Sequence, residues 1–443
     1  MLFNRNILGL AAVASMAMSP VAFATNGYFL PGFGIRSMGM GGVGIASGAD
    51  AISAAANPAN LSKVGKRMDV GVTIFNPERS SEVWDDPSNG ANPFQFSGGG
   101  DSKHRFFPMP EFGMSRVYNS DITFGFAAVG NGGMNTTYKG DNFFNYKLLS
   151  TPGQDTTVGV DLIQLLMPLS ASFKVSETQS VGASVVFAVQ RFGARGLGAF
   201  PLFDGSFPIT ADPNHLTNKG FDWSYGAGMK LGWLGDFFDK KLTVGAAYGT
   251  KTYMTNFDKY KGLFAEQGDF DIPENFGIGL AIRPNDQLTV ALDVTRIMYS
   301  NVASVGNPGM NGVPGIGGVP SISDATYELG NDEGMGFGWS DQTIYKLGVE
   351  YMMNDKLTLR AGYNYGKSPV ADDQLTFNTL APAVVEKHYS VGFTYKMRKD
   401  LEISGNYMHA ASHTQQACGQ NIVDCVKIGM HQNYLGLSAS WLY

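Results

Sequence analysis

The chain ends His431-Gln-Asn-Tyr-Leu-Gly-Leu-Ser-Ala-Ser-Trp-Leu-Tyr443. On a strand, Leu435, Leu437, Ala439, Trp441 and Tyr443 share one face, while Gln432, Tyr434, Gly436, Ser438 and Ser440 share the other. An apolar outer face, a small or polar inner face and an aromatic terminus suit the closing stave of a bacterial outer-membrane barrel. One face of the molecule then meets lipid.

Working upstream, the same alternation recurs. Met68, Val70, Val72 and Ile74 form one outward stripe, and Ile122, Phe124, Phe126 and Ala128 form another. Further stripes run through Ile163–Phe173, Val181–Val189, Trp223–Leu231, Leu242–Tyr248 and six later segments. The connections alternate in length. Short ones fall at Asn119-Ser120, Ser176–Gln179, Gly235–Lys240, Pro284–Gln287, Asn354-Asp355 and Arg398–Asp400. Long ones are expected at about 77–107, 131–160, 194–220, 253–273, 301–338, 368–387 and 411–428. Short periplasmic turns, long outer loops and an even strand number are the barrel pattern, and the count gives fourteen strands. The expected fold is all-β: a 14-stranded antiparallel transmembrane β-barrel over 63–443, its lumen plugged by an N-terminal hatch. Pro108 and Pro110 make 107–118 the weakest strand.

Composition agrees. Glycine supplies 57 of 443 residues, and charged residues only 16 %, against about 25 % in soluble proteins. Aromatics reach 12 %, yet mean hydropathy is −0.08, and no apolar run approaches the ~20 residues of a membrane helix. The net charge of −6 gives no reason to expect nucleic acid. At the N-terminus, Arg5, the apolar run Ile7–Met18 and Ala22-Phe23-Ala24 read as a signal peptide over 1–24. Cys418 and Cys425, the only two cysteines, are expected to pair within an outer loop. Two thiols without a clear third ligand do not suggest a metal site, and no cofactor is expected.

Residues 25–62 do not alternate. They run through Gly39-Met-Gly41-Gly42-Val-Gly44 and a small-residue stretch to Asn57-Pro58-Ala59-Asn60-Leu61. A segment this short needs outside packing, and the barrel lumen offers it. Gly39–Gly44 matches GxGxxG, but no strand precedes it and no βαβ unit follows. Its glycines are better read as allowing tight turns and close packing.

Inward charges include Asp222, Lys230, Lys346, Glu350, Arg360 and Glu402, expected to brace the lumen. Outward Trp223, Tyr225, Tyr248, Tyr351, Tyr363, Trp441 and Tyr443 fit interfacial girdles. His409 and His413 straddle a strand end and read as loop histidines. Asp85-Asp86 and Asp372-Asp373 fall in outer loops and read as solvated acids. The outer loops also carry apolar clusters, which on an exposed surface need a reason: Phe143, Phe144, Leu148 and Leu149, then Phe200, Leu202, Phe203 and Phe207. They suit capture of a hydrophobic solute. An outer-membrane lipid-modifying enzyme and an adhesive or structural barrel remain the alternatives. The former would need a nucleophile and an oriented histidine base; of the six histidines, the strand-borne candidates His388 and His431 have no companion motif.

The Gly39–Gly44 run, Ala49-Asp50-Ala51 and Asn57-Pro58-Ala59-Asn60-Leu61 ahead of the first strand resemble the outer-membrane long-chain fatty-acid and hydrocarbon transporters (FadL/TodX type). The resemblance spans the chain after the signal peptide. It implies passive uptake of a hydrophobic small molecule. The expected surroundings are outer-membrane lipid and lipopolysaccharide, and the expected state is a monomer. It also implies a hatch in the lumen, a pocket above it, and a kink in the third strand that opens sideways into the membrane. Asn57-Pro58-Ala59 would face that kink. The third strand is expected over Ile122–Val129, ending in Gly130-Asn131-Gly132-Gly133.

Overall fold

In a computed structural model that describes residues 26–84, 98–139, 157–198, 209–309, 325–420 and 423–443, the alternating segments close into one antiparallel barrel. The fourteen staves are β1 Arg67–Trp84, β2 Phe107–Val117, β3 Ile122–Asn135, β4 Gly159–Lys174, β5 Gln179–Arg195, β6 Asp222–Phe237, β7 Leu242–Gly249, β8 Asn275–Asn285, β9 Leu288–Ile297, β10 Gln342–Met352, β11 Leu357–Gly366, β12 Lys387–Arg398, β13 Leu401–Gln420 and β14 Val423–Leu442. Two short strands flank them. Gly98–Asp101 pairs with the outer end of β1, and Tyr253–Met254 pairs with β6. The expected signal peptide, Asp85-Asp86 and the loop residues Phe143, Phe144, Leu148, Leu149, Phe200, Leu202, Phe203 and Phe207 lie outside the described residues.

Each stave pairs with its sequence neighbours, and β14 closes on β1. Met68 lies opposite Trp441, and Ile74 opposite Leu435. Closure leaves neither β1 nor β14 as a free end of the sheet, which hydrocarbon favours because no water is there to bond a free N–H or C=O. Leu435 and Leu437 are exposed on the outer face, as are Phe187, Ile278 and Val391, while Gln432, Tyr434 and Ser440 are buried inside. Trp223, Tyr225, Tyr248, Tyr351 and Tyr443 are also exposed. Pro108 and Pro110 do lie in a strand. They pair with β1, in a stretch whose other edge has no β3 partner, and an edge is where proline costs no ladder bond.

Several boundaries differ from the sequence reading. The long connection expected at 411–428 is a paired hairpin, because the β13–β14 ladder, after a register shift between Ala410 and His413, continues up to Gln420 and Val423. Its polar residues sit above the lipid, where alternation of hydropathy is no longer required. Cys418 and Cys425 are disulfide-bonded, but as facing residues of this hairpin rather than within a loop. His409 and His413 are strand residues of β13, not loop residues. The third stave runs six residues past Val129, to Asn135.

The N-terminal segment, residues 26–64, lies within the lumen. It folds as short turns: the helix α1 Ile35–Met38, two 3-10 turns at Ala51–Ala55 and Pro58–Asn60, and the helix α2 Leu61–Val64. Nearly all of it is buried.

Candidate functional site

Inward glycines of the wall make the seats for this segment. A Cβ on Gly362 would lie 2.0 Å from Gly41 N, one on Gly182 2.4 Å from Ala59 N, and one on Gly232 1.9 Å from Asn57 Oδ1. Gly39 lies against Gly392, and Gly44 against Ala56. Gly41 and Gly42 also need left-handed backbone, with φ of 70° and 84°, which a side chain disfavours.

Inward polar groups then satisfy the segment's irregular backbone. Asp293 Oδ2 accepts from Gly44 N at 2.7 Å and Ile45 N at 3.0 Å. Ser390 Oγ accepts from Gly41 N at 2.8 Å, and Asp69 accepts from Ala51 N at 2.9 Å. Lys346 Nζ donates to Pro31 O at 2.7 Å, and Lys230 Nζ to Ala55 O at 2.7 Å. These lysines therefore hold the segment rather than pairing across the lumen. Arg360 pairs with its strand neighbour Glu350 at 2.7 Å. Arg36 of α1 is ion-paired to Glu402, and Arg36 and Arg67 both donate to Ala49 O. Asp50, buried beside the charge of Asp69, is held above the usual carboxylate range. Asp222 sits at the outer end of β6 and accepts from Lys259 N at 2.8 Å.

Asn57 ties three elements together. Its Oδ1 accepts from Ala59 N at 3.0 Å, and its Nδ2 donates to Ile45 O at 2.8 Å and Trp233 O at 3.2 Å. Asn57-Pro58-Ala59 thus sits on β5 and β6, and does not face the kink of the third strand. The glycine seats at 182 and 232 give the proline and its flanking backbone room against the wall there.

The kink itself is a β-bulge. Gly130 pairs with Leu165 and Gly132 with Gln164, leaving Asn131 as the extra residue. Beyond Ala128 the other edge of β3 has left β2, whose outer part, Phe107–Glu111, pairs only with β1. The wall is therefore open between these two stretches. The opening is bounded below by the pair Phe112 and Ala128. Above, Lys103 N donates to Thr137 O at 2.8 Å, and Thr137 N to Ser102 Oγ at 3.0 Å.

Tyr28-Phe29-Leu30 covers this place from inside. Leu30 N donates to Asn131 O at 2.8 Å, Gly133 N donates to Tyr28 O at 3.1 Å, and Phe29 bridges to Gly132. Gly132 has no room for a side chain, because a Cβ would lie 1.6 Å from Tyr28 O. Asn131 Nδ2 bonds Gln164 Oε1 at 2.8 Å. Sequence reading missed Tyr28–Leu30; its only signal was an aromatic, strand-like triplet ahead of Pro31-Gly32.

Two cavities meet at these residues. One lies between the segment and the wall, lined by Phe29, Leu30, Phe33, Leu166, Val186 and Ile272, with Lys230 and Lys346 at its polar side. The other, smaller, lies behind the opening, against Met109, Pro110, Val129 and Gly130, with Glu111 and Thr73 also in its lining. They share Leu30 and Phe33. A third, mostly apolar space lies among the outer loops, lined by Phe192, Phe264, Leu329, Phe337, Phe377 and Leu380. Aromatic contacts link the outer and inner parts. Phe192 lies 4.6 Å from Phe264, Phe264 4.9 Å from Phe270, and Phe270 5.9 Å from Tyr28.

The loop residues beside Phe270 give this column a pH dependence. Burial, aided by the charge of Asp271, pushes Asp269 up to about 7. A carboxyl raised above its unfolded value folds without penalty below about pH 4, loses stability as pH rises toward 7, and keeps the full penalty above that. Amide exchange over 264–271, corrected for its intrinsic rate, is expected to be faster at pH 8 than at pH 5, and Asp269→Asn to abolish the difference. Equal protection of the unaltered protein at both pH values would contradict this.

A closed barrel with lipid outside, an occupied lumen and internal apolar cavities defines the class of outer-membrane transport barrels. Over residues 11–434 the chain matches the family described as outer membrane protein transport protein (OMPP1/FadL/TodX), and it belongs to that family. The family consists of transport channels of the bacterial outer membrane. The fold is that of the toluene transporter TodX of Pseudomonas putida, at TM-score 0.65 and 20 % identity over 94 % of this chain and 99 % of that one. A FadL homologue of Pseudomonas aeruginosa gives 0.65 and 16 %, with the same coverage. The toluene transporter TbuX of Ralstonia pickettii gives 0.60 and 19 %, again over 94 % and 99 %. No curated protein matches the chain.

Proposed function

We propose that this chain is a passive channel, acting as a monomer, for hydrophobic small molecules such as long-chain fatty acids or small hydrocarbons. Solute enters the apolar space among the outer loops and passes to the cavity beside the N-terminal hatch. It leaves sideways between β2 and β3. The observation that carries this reading is the open stretch of wall at the Asn131 bulge, with a cavity directly behind it whose lining is apolar apart from Glu111 and Thr73. A water-filled pore for sugars or ions would gain nothing from an opening toward lipid. Transfer of an alkyl chain out of water is favourable by about 0.8 kcal/mol per CH₂, so a route that ends in the membrane needs no energy source. Phe29, Leu30 and Phe33 stand between the two inner cavities, and a shift of the hatch around residues 28–33 joins them. Solved relatives of the same fold are described as toluene transporters, which supports small aromatics as one cargo.

Cells lacking this protein are expected to accumulate labelled oleate or toluene more slowly than cells that carry it, and deletion of residues 27–56 to disturb that uptake. Leu166→Trp, which fills the larger cavity, is expected to lower uptake roughly tenfold, because overpacking leaves no room for solute. Unchanged uptake of every apolar compound tested in the cells without the protein would end this reading.

A further inference from the structure

The outer face of the barrel carries a polar recess that transport does not use. On β5 the even positions point inward, with Ala188, Phe192 and Ala194 in the core, so Arg191 and Arg195 point outward. By strand register Asp161 of β4 and Asn135 of β3 share that face. With His104 and Phe221 these groups line a recess. Its level is set by its neighbours. Arg191 lies opposite Trp223 in the β5–β6 ladder, and Trp223 and Tyr225 are exposed, as aromatic residues are at the boundary of the hydrocarbon. Below it on the same outer face are the exposed apolar side chains Phe187 and Leu169.

The groups here are matched to an anion and a hydroxyl rather than to hydrocarbon. Arg191 is 7 % exposed, its guanidinium lies 4.0 Å over the Phe221 ring, and Nη2 is 3.3 Å from Asp161 Oδ1. Its Nε has no hydrogen-bond partner, and neither has the buried Oδ1 of Asn135. Arg195 and His104 are exposed, and Arg195 forms no ion pair among the described residues. The two arginines outnumber the single carboxylate. A planar guanidinium fixed against an aromatic ring, with a second beside it, is suited to a phosphate, and Asn135 Oδ1 to a sugar hydroxyl.

We propose that this recess docks the phosphorylated head group of a glycolipid of the outer leaflet, with its acyl chains running down past Phe187 and Leu169. Arg191 and Arg195 hold the phosphate and Asn135 the sugar. The site lies on the β4–β5 side of the wall opening, so the docked lipid stands beside the opening's outer end.

Native mass spectrometry of the detergent-purified chain with bis-phosphorylated lipid A tests this. One lipid is expected to stay bound to the unaltered protein, dephosphorylated lipid A to bind at least about tenfold more weakly, and Arg191→Gln/Arg195→Gln to lose the preference, since each charge-assisted bond to phosphate is worth a tenfold change or more. Arg195→Gln alone, at an exposed position, should weaken binding severalfold and serves if the double variant does not fold. Equal binding of the two lipids by the unaltered protein overturns the proposal. So does full retention by a folded variant, or displacement of the lipid by millimolar inorganic phosphate, which would mark a site for free anions.

Discussion

Deleting Asn131 is expected to cut uptake of apolar solute at least about tenfold while leaving a folded barrel, because a ladder without its extra residue runs straight and can close. Gly130 and Gly132 already pair with the consecutive residues Leu165 and Gln164 of β4, so the deletion leaves that ladder continuous. It also lets the outer part of β3 return toward Phe107–Glu111, whose second edge lacks a β3 partner. Tyr28–Leu30 loses the carbonyl of Asn131, which accepts from Leu30 N. Asn131→Ala keeps the extra residue and gives up only the side-chain bond to Gln164, so it should retain most uptake. The contrast between the two variants isolates backbone geometry from side-chain chemistry. Heat-modifiable migration in a denaturing gel reports whether each barrel has folded. Uptake by a folded deletion variant equal to that of the unaltered protein would show that the opening is not the exit.

Much of this architecture is legible in the sequence because lipid imposes a strict rule. Every stave between Met68 and Tyr443 must present apolar side chains outward, and a period of two leaves a visible stripe. The rule lapses above the membrane. Thr414, Gln415 and Gln416 therefore read as loop, although the β13–β14 ladder continues through them. The bulge was hidden for a different reason. It reverses the phase of β3, so that Phe126 and Ala128 face outward below it and Asn135 faces outward above it. The change occurs within Val129-Gly130-Asn131-Gly132-Gly133, where glycines carry no side chain to record a phase. The place of Asn57-Pro58-Ala59 depends on which wall glycines have lumen-side space. Gly182 and Gly232 meet it only after the barrel has closed, so no local pattern announces the contact. Tyr28–Leu30 escaped for the same cause: its partner is an exposed backbone edge created by the bulge.

Those wall glycines also predict the effect of unseating the segment. Gly362→Leu is expected to turn a blocked barrel into a leaky one. Any Cβ there meets Gly41 N at 2.0 Å and Met40 C at 2.1 Å, and both are backbone atoms that cannot rotate aside. The same stretch is fixed by Ser390 Oγ on Gly41 N and by Asn364 Nδ2 on Gly41 O at 3.2 Å. Moving it by the width of a side chain breaks both, and strains Asp293's bonds to Gly44 and Ile45. Bonds of this kind are worth about 0.5–3 kcal/mol each. They compete with a barrel ladder that the substitution leaves intact, since the new side chain points into the lumen and not along the sheet. The segment should therefore yield before the wall does. Planar-bilayer recordings are expected to show a conductance several times that of the unaltered protein, and cells should become sensitive to bulky hydrophilic antibiotics. Gly362→Ala should give a smaller change in the same direction. A folded Gly362→Leu barrel that stays as tight as the unaltered one would mean that the segment can reseat elsewhere in the lumen, and that the glycine contacts do not hold it.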